Sequence, residues 1–177
     1  MGTGGSKVVR LEAPALSHAV QFLDGVRQSR ALHGRWVSPP ATREQYRVFV
    51  HRYCQPTHIA HLVCTGEGDL AGVINVGEIV RGGLWSAYLG YYALAPYAGR
   101  GYMREGLQLV MARAFRRYRL HRLEANIQPA NQRSIALVKS LGFRLEGFSP
   151  RYLKIRGRWR DHERWAITAE EWRPKRA

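Results

Sequence analysis

The stretch from Tyr91 to Phe115 constrains this chain most. Ahead of its turn, Leu84 to Leu94 is dense in aromatic and aliphatic residues (Trp85, Tyr88, Leu89, Tyr91, Tyr92), the composition of a largely buried strand. After the turn, Met103, Leu107, Val110, Met111, Ala114 and Phe115 recur at helical spacing, so a helix buries that face. Between them runs Pro96-Tyr97-Ala98-Gly99-Arg100-Gly101-Tyr102-Met103, with two glycines around one arginine. A glycine turn that opens a helix presents backbone N–H groups without intrahelical partners at the positive end of the helix dipole. Such a turn can cradle a phosphate or pyrophosphate. On these residues alone it reads equally well as a tight strand-to-helix turn with no ligand.

The flanking segments place this unit in one α+β domain spanning residues 1–177. Val8 to Leu11 alternates weakly, as an edge strand does, and Ala15 to Gln28 carries apolar residues near helical spacing. Ser38-Pro39-Pro40 is a break, and Thr42-Arg43-Glu44-Gln45 has the form of a capping box, predicting a helix to about Tyr53. His58 to Thr65 and Leu70 to Ile79 are strand-like runs joined by Gly66-Glu67-Gly68-Asp69, a hairpin signal. Phe143 to Phe148, Tyr152 to Ile155 and Trp159 to Thr168 read as further strands, with a turn at Arg156-Gly157. Met1 to Ser6 are small and polar and read as a flexible start with no secretory signal. No run approaches the ~18 apolar residues of a membrane span. Cys54 and Cys64 share no metal-type spacing and read as reduced thiols of a cytoplasmic protein. His58 and His61 also lack partners at metal-ligand spacing, so no metal is expected.

Charge adds one constraint. The chain has 28 Lys plus Arg against 13 Asp plus Glu, a formal +15. Such a surface attracts polyanions and would steer association with RNA or a ribosome, or it reflects arginine use on solvated faces. It weighs against polycationic substrates such as polyamines, because Asp24, Asp69 and Asp161 are the only aspartates.

Downstream of the glycine turn come His121-Arg122-Leu123-Glu124-Ala125-Asn126, then Asn131-Gln132-Arg133-Ser134, then Leu141-Gly142-Phe143-Arg144-Leu145-Glu146-Gly147. This ordered set resembles the GNAT superfamily of acetyl-CoA-dependent N-acetyltransferases. Gly157-Arg158-Trp159-Arg160-Asp161-His162 and the Gly101-to-Glu105 helix start resemble the RimJ/RimL-type branch of ribosomal-protein-alanine N-acetyltransferases, RimJ above all. The resemblance covers roughly Leu70 to Trp172. It implies a GNAT fold: a mixed, mostly antiparallel central sheet flanked by helices, whose central strands, Leu84 to Leu94 and Arg122 to Ile127, splay apart. It implies acetyl-CoA as cosubstrate, no metal, and direct attack of an amine in a ternary complex. The acceptor would be a protein N-terminus, such as that of a ribosomal protein, with a small-molecule amine or a non-catalytic CoA-binding, RNA-associated module as alternatives. Monomer and homodimer are both open.

The resemblance also assigns residues. Backbone groups of Ala93, Leu94 and Ala95 would pair with the pantetheine arm. Ala98, Gly99, Arg100, Gly101, Tyr102 and Met103 would hold the pyrophosphate, although the superfamily loop often has Gln or Arg in place of Ala98, and Gly or Ala in place of Met103. Asn126 and Asn131 would contact the cofactor, and Asn131 also suits a helix N-cap. Glu124 is the candidate base, or else the partner of a neighbouring arginine such as Arg122. Ser134 is the candidate proton donor to the departing thiolate, or an ordinary helix-start residue. The helix after Ser134 has no tyrosine for that task. Asp161 and His162 would border the substrate side, with His162 a second possible base.

Overall fold

The computed structural model describes residues 8–174, so the reading of Met1 to Ser6 lies outside the described residues. Strands β1 (Val9–Glu12), β2 (Ile59–Thr65), β3 (Leu70–Val80), β4 (Ser86–Ala93), β5 (Arg122–Ile127), β6 (Arg144–Ile155) and β7 (Arg158–Thr168) form one sheet. Its order is β1-β2-β3-β4-β5-β7-β6, and every neighbouring pair is antiparallel except β4–β5. The expected mixed, mostly antiparallel sheet is what the chain forms.

Helices α1 (Ala19–Gln28), α2 (Arg30–His33), α3 (Arg43–Arg52), α4 (Tyr102–Ala112) and α5 (Gln132–Ser140) cover both faces. Leu107, Val110 and Met111 of α4 and Ile135 and Val138 of α5 are buried against Ile74, Leu89, Leu123 and Ile127. On the other face, Phe22 of α1 and Tyr46 and Phe49 of α3 are buried with Leu62, Val73 and Leu94. Half of the capping box forms as read, since Thr42 Oγ1 accepts from the Gln45 N–H at 3.2 Å while the return bond goes one residue past the N-cap. The Gln45 side chain reaches back to the Ala41 N–H at 2.8 Å.

Three local departures have identifiable causes. α4 continues past Ala112 as a π turn, Arg113–Arg117, so Ala114 and Phe115 stay buried without a regular α-helix. β4 begins at Ser86 because Trp85, with φ +46°, turns the chain into it. The two runs read at Phe143 and Tyr152 are one strand, β6, whose register shifts between Ser149 and Leu153. There Arg151 adopts φ +49° and its N–H donates to Asp161 Oδ1 at 2.7 Å. Asp161 thus braces a bulge.

The feature that positions the site is a failure of pairing. β4 and β5 are registered only at Ser86–Arg122, Ala87–Leu123 and Tyr88–Glu124. Beyond that point β4 stays with β3 as far as Ala93, while β5 follows β7 to Ile127. The two central strands part.

Candidate active site

Where β4 and β5 separate, a cavity of about 410 Å³ opens. Its floor comes from Leu89, Gly90 and Tyr91 of β4, Asn126 and Ile127 of β5, and Asn75 of β3. Trp36 and Tyr53 wall one side, and Tyr152, Ile155 and His162 of the β6–β7 hairpin the other. Glu78 is the only carboxylate among the lining residues. It is bonded to Arg52 at 3.2 Å and lies 3.3 Å from His58 Nε2.

The glycine turn closes as a helix start. Gly101 is the N-cap of α4 with φ +88°, and Gly99 has φ +74°, conformations that disfavour a side chain. A Cβ on either would meet no atom within 4 Å, so the space beside the turn is open. The first intrahelical bond here runs from the Glu105 N–H to the Gly101 carbonyl at 3.2 Å, and the preceding first-turn N–H groups face the helix end. The Ala98 and Arg100 N–H groups are used within the turn, on the Ala95 and Tyr97 carbonyls. Met103 turns its thioether inward over Gly72. An anion at this turn would therefore be held by backbone groups, with the Arg100 side chain exposed beside them.

The end of β4 is clipped to the helical layer. The Leu94 N–H donates to the Ala71 carbonyl at 2.9 Å, and the Ala95 N–H donates to Ser29 Oγ at 2.8 Å. The Ala93 carbonyl lies 2.8 Å from His33 Nε2. A carbonyl only accepts, so Nε2 carries the proton in this bond. Burial lowers the His33 pKa, consistent with a neutral ring. The Ala93 carbonyl keeps a second lone pair.

On α5, Asn131 is the N-cap and its Oδ1 accepts from the Ser134 N–H at 3.3 Å. The Ser134 hydroxyl donates to the Tyr91 oxygen at 2.8 Å, and the Tyr91 hydroxyl faces the Ser134 carbonyl at 3.4 Å. All three residues line the cavity. Burial pushes the Tyr91 phenol up to about 12, so it keeps its proton near neutral pH.

Glu124 lies outside the cavity lining. Its Oε1 accepts from Arg122 Nε at 2.8 Å, and the same guanidinium bonds Glu146, which also pairs with Arg144 at 2.6 Å. Hydrogen bonding to Arg122 holds the Glu146 carboxyl below its ordinary value. His162 is buried, with Nδ1 2.9 Å from the Arg160 carbonyl, and burial lowers its pKa. Among the described residues no group of three or more His, Cys, Asp or Glu is placed to hold a metal ion.

A family model described as an acetyltransferase (GNAT) domain matches residues 9–144. The chain belongs to the GNAT acetyltransferase family. Among relatives of this GNAT domain is the ribosomal protein uS5-alanine N-acetyltransferase of Escherichia coli, 40% identical over 110 residues. That match covers 62% of this chain and 57% of the relative. The probable N-acetyltransferase YjcK of Bacillus subtilis is 38% identical over 106 residues, covering 59% of each. The matched stretch thus spans less than two thirds of the length of these curated relatives. Mycobacterium smegmatis RimJ, solved with CoA-disulfide, superposes with TM-score 0.86 at 26% identity, covering 93% of this chain and 84% of that one. RimL, the ribosomal L7/L12 α-N-protein acetyltransferase solved with coenzyme A, superposes with TM-score 0.82 at 24% identity, covering 92% and 95%, which is a likeness of fold.

Within this GNAT domain, sequence reasoning missed four contributors. Tyr91 supplies a hydroxyl beside Ser134 from β4, an element away from the helix where a tyrosine is expected. Ser29 and His33 clip the end of β4, and nothing in the local pattern after α1 signals it. Asn75 lines the cavity from within an apolar strand, and a lone polar residue there was the available signal.

Proposed function

We propose that this GNAT domain transfers the acetyl group of acetyl-CoA to the N-terminal α-amine of a protein, with a ribosomal protein as acceptor. One observation carries the proposal: the central strands part beside Ser134 and Tyr91 in a chain 40% identical, over 110 residues, to a uS5-alanine N-acetyltransferase. Acetyl-CoA supplies an activated thioester. Gly99, Gly101, Tyr102 and Met103 hold the pyrophosphate by backbone donors, with the exposed Arg100 guanidinium beside them, while the Ala98 and Arg100 N–H groups shape the turn. Ala93 to Ala95 and Asn131 hold the pantetheine arm, the Ala93 carbonyl through its second lone pair. Ser134 protonates the departing thiolate, and Tyr91 resupplies it.

The demand for a base is small. A protein α-amine has a pKa of about 7.7–8.0, so near neutrality a sizeable fraction is already free base. Glu124, bonded to Arg122 and set back from the cavity, takes the proton through water. The amine attacks directly in a ternary complex, without an acyl-enzyme. Cys54 is exposed, and Cys64 is buried on β2 with its thiol pushed up to about 11 by burial. Neither lines the cavity.

A small polyamine fits less well, because the sole carboxylate of the lining, Glu78, is shared with Arg52 and His58. The tip of the last hairpin carries Arg151, Lys154, Arg156, Arg158 and Arg160 with no acidic residue among them, which supports docking on ribosomal RNA. The domain would act in the cytoplasm, as a monomer or homodimer.

Calorimetric titration with acetyl-CoA, with Gly101→Trp as control, tests the cosubstrate half. Saturable binding abolished in the variant is expected. Acetylation of peptides with free Ala or Ser N-termini then tests the acceptor half. A folded wild-type protein that ignores acetyl-CoA would sink the transferase reading.

A further inference from the structure

Asn75 and Asn126 each present a buried amide oxygen that accepts no hydrogen bond within the structure, and both residues line the cavity. A buried acceptor left unsatisfied carries the full cost of its desolvation. Such an oxygen in a cavity wall marks where a ligand's donor belongs.

The sheet register relates the two. Asn75 of β3 is paired with Gly90 of β4. Tyr88 of β4 is paired with Glu124 of β5. Gly90 and Asn126 each follow their strand by two residues, so both stay on the face of Tyr88 and Glu124. Asn75, Gly90 and Asn126 therefore form one row across three strands, two residues past the last β4–β5 pair. Gly90 places no side chain between the two amides.

We propose that Asn75 and Asn126 grip the acceptor amine from either side of this row, each accepting one of its N–H groups. The inference rests on the transferase reading, whose acceptor is an amine, and it gives Asn126 the acceptor in place of the pantetheine. Neutral oxygens suit the task. A carboxylate at the same place would favour the ammonium form, which cannot attack, whereas an amide oxygen orients the amine with far less bias toward its charged state.

The test uses the full chain saturated with CoA and two peptides: one beginning with alanine, the other its des-amino analogue, in which propionyl replaces alanyl. Wild type is expected to bind the amine peptide about tenfold tighter. Asn75→Ala and Asn126→Ala should each bind both peptides nearly alike, with CoA affinity unchanged. Asn75→Ser, which keeps a small polar side chain, substitutes should the alanine variant fail to fold. Wild type that binds CoA but shows no preference for the amine overturns this inference alone, as do variants that keep the tenfold preference. Weakened CoA binding in Asn126→Ala places that amide on the cosubstrate and breaks the pair. Wild type that binds neither peptide overturns the protein-terminus reading and this inference with it, and wild type that does not bind CoA overturns the transferase reading itself.

Discussion

A hydroxyl that gives up a proton to a leaving group must recover one, and Ser134 has a donor in contact. The Tyr91 phenol, held protonated by burial, lies 2.8 Å from Ser134 Oγ. Ser134→Ala should lower kcat by about 100-fold, the low end of general-acid effects, with peptide KM little changed. Tyr91→Phe should cost less, since solvent can resupply the serine. Steady-state kinetics on an alanine-first peptide checks both. Glu124→Gln carries a sharper consequence. As the acceptor of the amine's proton its loss should lower kcat by up to about 10-fold near pH 7, where the free-base fraction of the amine is limiting, and by less at higher pH. An unchanged kcat with a lowered unfolding midpoint would leave Glu124 as a partner of Arg122 and nothing more. At this scale the sequence revealed which residue types were present but not their company: the Arg122 pairing stood as an open alternative, and the Tyr91–Ser134 contact joins residues 43 apart in sequence.

At the scale of elements, α4 owes its place to a close approach. A Cβ on Gly106 would come within 2.9 Å of Val63 Cγ2 and 3.2 Å of Ile74 Cδ1. Gly106→Ala should push the helix off the sheet, costing about 1–3 kcal/mol of stability by overpacking. It should also weaken acetyl-CoA binding, because the glycine turn rides on the same helix; denaturant midpoint and calorimetry measure the two effects. The strand–turn–helix unit was legible because its signals are local: an apolar strand, a glycine turn and a helical repeat all between Leu84 and Phe115. The parting of β4 and β5 was not, since it is a relation between strands about 35 residues apart; family likeness supplied it. Asn75 acquires meaning only through register with Gly90 and Asn126. β6 read as two runs because Pro150 and the left-handed Arg151 interrupt alternation without ending the strand.

The whole molecule carries its acid sensitivity in buried imidazoles. His61 on β2 is 4% exposed, and burial, aided by Arg113 and Arg117, lowers its pKa to about 4. The unfolded chain binds that proton near 6.5, so between the two values it holds more protons than the folded one. Stability from this group is complete above about pH 6.5 and is lost as pH falls toward 4. From pH 7 to pH 5 the unfolding free energy should drop by about 2 kcal/mol on account of His61. His61→Gln should flatten that slope in urea titrations. The same sheet has a seam of three registered pairs joining a half built from β1–β4 to a half built from β5–β7. Strand pairing joins the halves at only these three positions along the line where the cavity lies, and side-chain packing of α4 and α5 supplies the rest of the join. A ligand seated there becomes a cross-tie between them, and the folded state gains its binding free energy by mass action, about 2.7 kcal/mol at 100 times Kd. For a molecule built this way, the proposed cosubstrate would hold the fold together as well as feed the reaction, and a CoA-dependent rise in melting temperature measures that dependence.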